Sequence, residues 1–485
     1  MQSADQHALA RGLGFWQATA INITQVVGSG VFATIPYILG ILPGAYAILA
    51  WLVAGVLILC DSLIWGELGA ALPSAGGSYH FLLESYGRSK WGRLMSFLFV
   101  WQILISGPLE VGSGLVAAAQ FSRALSKDFE KFDDAHTWRA KIKIAGEEIK
   151  PGESTEGDAK YLELVFAPSR LVGVALGLFI LLLLYRRVTT LGQLSIVFLV
   201  GILALIFWVI IEGALHFDAK LAFDTALKSG EQPAHFGIAL GAAMALAIYS
   251  YLGYYNVCYL GGEVQNPVRT IPRSILFSAL TVIVLFTLIH LSITGFMPWR
   301  EAMKSTDNLT ADFMSRIHGQ WAAQLVTVCL IGSCFASCFS GALGYSRVPY
   351  AAAREGHFFP WFGEVHEQHR IPHRSLVLVG VLMLFWSFFS LDAIITALIA
   401  TRILEQFVAQ AFAVVLLRKQ GRTLPWRMWL YPLPCVIAVV GWLYVYFSTG
   451  LLFIAMGACT LVAGLIVFLI WARRQGVWPY SFRSS

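Results

Sequence analysis

Twelve long apolar runs separated by short polar links dictate what this 485-residue chain can fold into. They lie near 15–38, 44–72, 92–121, 169–186, 190–214, 237–262, 273–297, 318–346, 375–391, 393–417, 431–448 and 451–472, and are called spans 1–12 below. A helix needs about 20 mostly apolar residues to cross a bilayer, and only helices and closed barrels satisfy their own backbone there. The chain therefore reads as an all-α integral membrane protein of about twelve transmembrane helices. Its composition agrees, with 57% hydrophobic and 13% charged residues, against roughly half apolar and a quarter charged in a soluble domain. The first run carries Asn22, Thr24, Gln25 and a Gly-Ser-Gly break, without a small-residue cleavage site. It reads as span 1 and not as a removable signal.

Arg and Lys gather in a set of short links that alternate with links of the opposite side. Arg88, Lys90 and Arg93 follow span 2, Arg186 and Arg187 follow span 4, and Arg269 and Arg273 precede span 7. Further clusters surround Arg354, Arg422 and Arg473, while the links near 39–43 and 449–450 have neither residue. With an even number of spans, this pattern predicts cytoplasmic termini (1–14 and 473–485) around a membrane domain of 15–472 in the plasma, or cytoplasmic, membrane. The net charge of +6 is not gathered into a basic stripe with interleaved aromatics, so the expected partners are the lipid bilayer and a small solute, not nucleic acid. All seven Cys sit in apolar runs. They read as packing residues, and no metal site is expected.

One link is long. Residues 122–168 are rich in both charges, and Trp138 to Ile144 alternates apolar and polar side chains before Pro151-Gly152 and the apolar stretch Tyr161–Phe166. That predicts a strand-containing excursion, either a solvated connector or a lid or docking surface over the outer entrance.

Mid-span glycines mark where the helices should break. Span 1 reads Val26-Val27-Gly28-Ser29-Gly30-Val31-Phe32, and span 6 reads Ile248-Tyr249-Ser250-Tyr251-Leu252-Gly253-Tyr254-Tyr255-Asn256. Each interior Gly costs about 1 kcal/mol relative to Ala. The freed backbone can hold a solute, with a carboxylate at a half-helix N-terminus and a cation at a C-terminus. Equally, the glycines can serve close helix packing. Corresponding breaks in spans 1 and 6 predict two inverted five-helix repeats, about 15–214 and 237–417, with extra helices over 431–472.

Past Gly253 the chain continues Gly261-Gly262-Glu263-Val264-Gln265-Asn266-Pro267-Val268-Arg269-Thr270-Ile271-Pro272. With Gly28-Ser29-Gly30, with Pro73 to Tyr79, and with Arg347 through Glu355-Gly356-His357 to Pro360, this resembles the amino acid–polyamine–organocation transporters over nearly the whole chain outside 122–168. The resemblance implies a broken-helix, LeuT-like fold and a central site between spans 1, 3, 6 and 8. It implies that Gly28, Ser29 and Gly30 hold the solute carboxylate and that exposed carbonyls near Tyr249, Ser250 and Tyr251 accept the ammonium, with Tyr249 as an aromatic gate and with Val26, Gly253 and Tyr254 as further solute-binding candidates. Two departures stand out. Span 5 lacks the family's Lys, Phe198 to Ile202 lying in its place, which leaves H+ or Na+ as candidate coupling ions, the latter near Ser337 and Ser340. In span 3, Ser106-Gly107-Pro108-Leu109-Glu110 resembles the polyamine-uptake branch, making Glu110 a candidate reader of a cationic or polar side chain or a structural carboxylate. Some members join a heavy chain by disulfide through a Cys after span 3. This chain has none there, so no such partner is expected.

Asp61 in span 2, His290 in span 7, and Arg402 and Glu405 in span 10 are further ionisable residues within spans. Arg402 and Glu405, three apart, are expected to pair on one helix face. No His-Glu-x-x-His, Gly-x-Ser-x-Gly or Gly-x-x-x-x-Gly-Lys-Ser/Thr motif occurs, so neither an intramembrane enzyme nor an ATP-driven pump is expected, and no cofactor. The sequence predicts a secondary transporter that moves amino acids, cationic or polar ones among the candidates, by alternating access. The alternatives are a polyamine or organic amine transporter, or a non-transporting sensor on the same fold.

Overall fold

The computed structural model describes residues 11–145, 160–186, 188–226, 233, 235–305, 308–366, 369, 371–422 and 424–480. Seven helices in it are long and apolar enough to cross a membrane, and the bent pair Phe15–Val26 and Gly30–Ile41 supplies an eighth. Four shorter apolar helices, Pro168–Leu184 (span 4), Phe236–Tyr251 (span 6), His373–Trp386 (span 9) and Leu433–Ser448 (span 11), fill the remaining places. The others are span 2 (Ala47–Ala71), span 3 (Trp91–Arg123), span 5 (Val188–Leu215), span 7 (Pro267–Thr294), span 8 (Gln320–Tyr345) and span 12 (Leu451–Gln475). Span 10 runs Leu391–Arg402 and Ala409–Lys419 around a π-helical segment, Ile403–Val408.

Burial sorts the spans into layers. Only 28% of the most apolar window of span 5 is buried, against 67% in span 8. Span 5 exposes Val197, Val200, Phe207, Ile211 and Leu215, spaced as one helix face, which suits contact with lipid. Span 2 packs along span 7 and span 3 along span 8, forming the interior. Hydroxyls inside these apolar helices fold back onto their own carbonyls, as with Thr24 onto Ala20, Ser195 onto Leu191 and Thr327 onto Ala323. That satisfies a polar group where water is absent.

Span 6 stops as an α-helix at Tyr251, and the rest of its apolar run forms two short 3-10 turns, Asn256–Cys258 and Gly261–Glu263. The expected pairing of Arg402 with Glu405 does not form. The π-helical turn widens the helix after Arg402 and carries Glu405 away, and the guanidinium pairs with Glu110 instead.

The long link folds as the alternation predicts, in part. A helix, Lys127–Ala135, precedes an antiparallel hairpin of β1 (Trp138–Ala145) and β2 (Lys160–Phe166), with Trp138 opposite Phe166. Pro151 and Gly152 lie outside the described residues. The hairpin is anchored rather than free. Val165 N donates to Phe388 O at 2.7 Å and Ser390 N to Glu163 O at 3.1 Å, which clamps β2 to the turn between spans 9 and 10. Buried Asp133 accepts from Ser169 N at 2.7 Å.

The opposite end of the bundle is latched by a polar cluster outside the spans. Tyr79 shares a 2.6 Å hydrogen bond with His357 Nδ1, and His80 Nε2 lies 3.2 Å from Glu355. Burial, reinforced by nearby arginines, pushes both His80 and His357 down to about 4. Both rings are therefore neutral when folded at pH 7, while in the unfolded chain they charge near pH 6.5. Stability linked to them is intact above pH 6.5 and is lost as pH falls toward 4. The thermal midpoint of the purified protein should drop between pH 7 and pH 5, and the His80→Gln/His357→Gln variant should flatten that dependence in a melting series.

Candidate functional site

The two breaks pack against each other. Val27 ends the first half-helix of span 1, and a 40° bend leads to the second, whose N-cap Ser29 makes no side-chain capping bond. The first N–H groups of that half-helix have no intrahelical acceptor, so they present positive dipole toward whatever lies before them. Gly30 meets the span 6 backbone. A Cβ there would lie 2.7 Å from Ser250 Cα. Gly253 has φ +115°, a conformation L side chains rarely adopt, and a Cβ there would lie 2.7 Å from Gln25 Cγ. Carbonyls freed at the span 1 break are taken by span 8, with Ser337 Oγ donating to Gln25 O at 2.6 Å and Ser333 Oγ to Val27 O at 2.7 Å.

A small cavity sits beside this junction. Span 1 contributes Val26, Gly28, Ser29 and Gly30; span 3 contributes Glu110, Ser113 and Gly114. Tyr249 and Leu252 come from span 6 and Ser337 from span 8. Tyr249 covers the cavity toward the hairpin side, its hydroxyl bonded to Ser113 Oγ at 2.8 Å. A polar network closes the other side. Glu110 accepts from Gln25 Nε2 at 3.0 Å, from Tyr345 OH at 2.7 Å and from Arg402. Arg402, fully buried, also donates to Ser106 Oγ and Ser106 O, both at 2.9 Å, and to Tyr255 OH at 3.3 Å.

The remaining candidates stand apart from the cavity. Ser250 Oγ bonds Thr34 Oγ1 at 2.9 Å behind Gly30. Tyr251 stacks on Phe286 and donates to Trp51 O at 3.3 Å. Tyr254 donates to Asp61, and Ser340 Oγ bonds Thr24 Oγ1 at 2.6 Å. Gln25 and Ser113 line the cavity, Tyr345 and Arg402 bond Glu110, and the sequence singled out none of the four as solute-binding. Only the cost of a charge inside a span pointed to Arg402, and nothing local pointed to its partner.

Filling the Gly30 position should separate the two breaks, because backbone cannot yield as a flexible side chain does. Gly30→Val should weaken apparent solute affinity about tenfold or more, a cost typical of overpacking. Gly332→Ala, where a Cβ meets nothing within 4 Å, should leave it unchanged; concentration dependence of uptake in liposomes reads both.

The amino acid permease family matches residues 13–472. The serine/threonine exchanger SteT of Bacillus subtilis is 26% identical over 461 residues, covering 92% of each chain. The branched-chain amino acid permease BcaP of the same organism is 21% identical over 484 residues, 98% of this chain and 95% of that one. The vacuolar cationic amino acid transporter 4 of Arabidopsis thaliana is 25% identical over 414 residues, 85% of this chain but only 64% of its own length. With the match running from the start of span 1 to the end of span 12, the chain belongs to the amino acid permease family, whose members are transporters and not enzymes.

Proposed function

We propose that the protein is a secondary transporter of neutral amino acids. The observation that carries this reading is the pairing of Glu110 with Arg402. The solute carboxylate would lie on the uncapped amides of Ser29 and Gly30, and its ammonium on the carbonyls that end the Phe236–Tyr251 helix. Both are favourable ends of a helix dipole. A second positive charge on the solute would look to Glu110, but that carboxylate already accepts from an arginine, a tyrosine and an amide. The side chain would instead meet Val26, Gly114 and Leu252. The whole-length likeness to a serine/threonine exchanger and a branched-chain permease supports the same reading.

The candidate sodium hydroxyls are engaged with protein, Ser337 on Gln25 O and Ser340 with Thr24, which favours a proton or plain exchange over sodium. Clusters such as Arg88, Lys90 and Arg93 support cytoplasmic termini in the cytoplasmic membrane. Tyr249 on one side and the Glu110 network on the other would act as the gates of alternating access, with the bundle rocking between the two repeats.

Counterflow in proteoliposomes, with labelled serine, leucine, arginine and putrescine side by side, tests this. Uptake of serine or leucine without putrescine is expected. Uptake of arginine or putrescine alone would mean that Glu110 sheds Arg402 and reads the solute. Saturable binding without flux of any of the four would favour a sensor.

A further inference from the structure

Asp61 lies midway along span 2, fully buried and outside the cavity just described. Its two oxygens accept from Tyr254 OH and from Trp442 Nε1 at 3.2 Å. Among the described residues, no Lys, Arg or His ion-pairs with it. Arg418, on span 10, forks onto Glu67 at 2.7 Å through two nitrogens, and Arg402 is committed to Glu110. Its other neighbours are neutral, namely Cys60 beside it, Trp65 one turn along and Cys435 of span 11. An ionised carboxylate in this setting has only neutral donors to replace water, an expensive state inside a span. Retaining an acid there calls for a role that packing does not supply.

The location supplies one. Ionised, Asp61 accepts from both neighbours. Once protonated it has an O–H of its own to place, and Tyr254 must turn from donor to acceptor. Tyr254 directly follows Gly253 in the span 6 break, and the next residue, Tyr255, reaches Arg402 at 3.3 Å. On the other side Trp442 stacks on Phe407 at 3.9 Å, within the π-helical segment that follows Arg402. A proton on Asp61 therefore alters the hydrogen bonding of the span 6 break, which lines the cavity through Tyr249 and Leu252, and of Trp442, which packs on the π-helical segment after Arg402.

We propose that Asp61 is the proton-binding carboxylate through which a pH gradient drives solute accumulation, an inference that rests on the transport function proposed above. The proton arrives from the aqueous phase on one side, is held as the carboxylic acid, and leaves to the other side when span 6 rearranges. Glu110 is a weaker candidate because its charge balances Arg402. Glu405 is buried too, but no hydrogen bond joins it to the span 6 break.

The test uses purified wild-type protein and the Asp61→Asn, Glu405→Gln and Tyr254→Phe variants in liposomes, with labelled serine and leucine. For one proton per solute, a gradient of one pH unit should give wild type about tenfold accumulation. Asp61→Asn should retain counterflow but fail to accumulate, and Glu405→Gln should behave as wild type. Tyr254→Phe keeps the acid but removes a donor to its ionised form, so the midpoint of the pH profile should move toward alkaline pH; this holds the proposal to account even if Asp61→Asn fails to fold. Independently of transport, pH-difference infrared spectra should show a carboxylic acid carbonyl band in wild type and Glu405→Gln that Asp61→Asn lacks. Should that band appear in a wild type without labelled exchange, the proton site stands and the transport function falls. Gradient-driven accumulation by Asp61→Asn, loss of it only in Glu405→Gln, an unmoved midpoint in Tyr254→Phe, or a wild type that exchanges labelled solute but never accumulates it would each overturn the proposal.

Discussion

The ion pair between Arg402 and Glu110 joins five spans at one point. Span 10 supplies the arginine, span 3 the carboxylate and Ser106, span 8 Tyr345, span 6 Tyr255, and span 1 Gln25. Arg402 is fully buried and Glu110 is 12% exposed at the cavity; burying a charge costs several kcal/mol, and attraction to a partner offsets that only when the remaining donors and acceptors are satisfied. Around the guanidinium the network gathers the Ser106, Tyr255 and Tyr345 hydroxyls and the Ser106 carbonyl. Removing Glu110 would leave the Arg402 charge buried and unpaired, a loss of about 3–5 kcal/mol. The same pair sets the electrostatics of the solute cavity, because it leaves beside the cavity a carboxylate with no charge to spare.

Around that fixed point, the broken helices provide what can move. Backbone groups at the breaks are freed from helical bonding, and in lipid each needs a partner. Span 8 serines take two of the carbonyls, while the amides heading the second half of span 1 have no side-chain cap. Glycine lets the breaks approach each other: Gly30 leaves room for Ser250, and Gly253 adopts a positive φ against Gln25. Closure on the hairpin side rests on the neutral Tyr249–Ser113 contact, and closure on the other side on a charged network. In the alternating access proposed above, opening the two sides would break interactions of different strength.

Much of this was legible in the sequence, and the parts that were not share a physical cause. Apolar length located the spans, interior glycines located the breaks, and alternation over Trp138–Ile144 located a strand, because each is a local property of consecutive residues. Arg402 was visible as a charge in an apolar run, but its partner lies 292 residues away. The local spacing rule pointed to Glu405, and the π-helical winding that defeats the rule leaves no mark in the sequence. Tyr251 and Tyr254 adjoin Tyr249 in the chain, yet the helix ends at Tyr251. The extended Leu252 and left-handed Gly253 that follow carry Tyr254 toward Asp61, away from the cavity.

The most direct measurement is a comparison of serine and arginine affinity in wild type, Arg402→Gln and the Arg402→Gln/Glu110→Gln double variant. If the pair neutralises the site, Arg402→Gln leaves Glu110 uncompensated and should shift preference toward arginine by about tenfold or more, the scale of one unscreened charge contact. The double variant should return preference to serine. An unchanged serine-to-arginine ratio in Arg402→Gln would contradict the account, because solute selection would then be set elsewhere in the cavity.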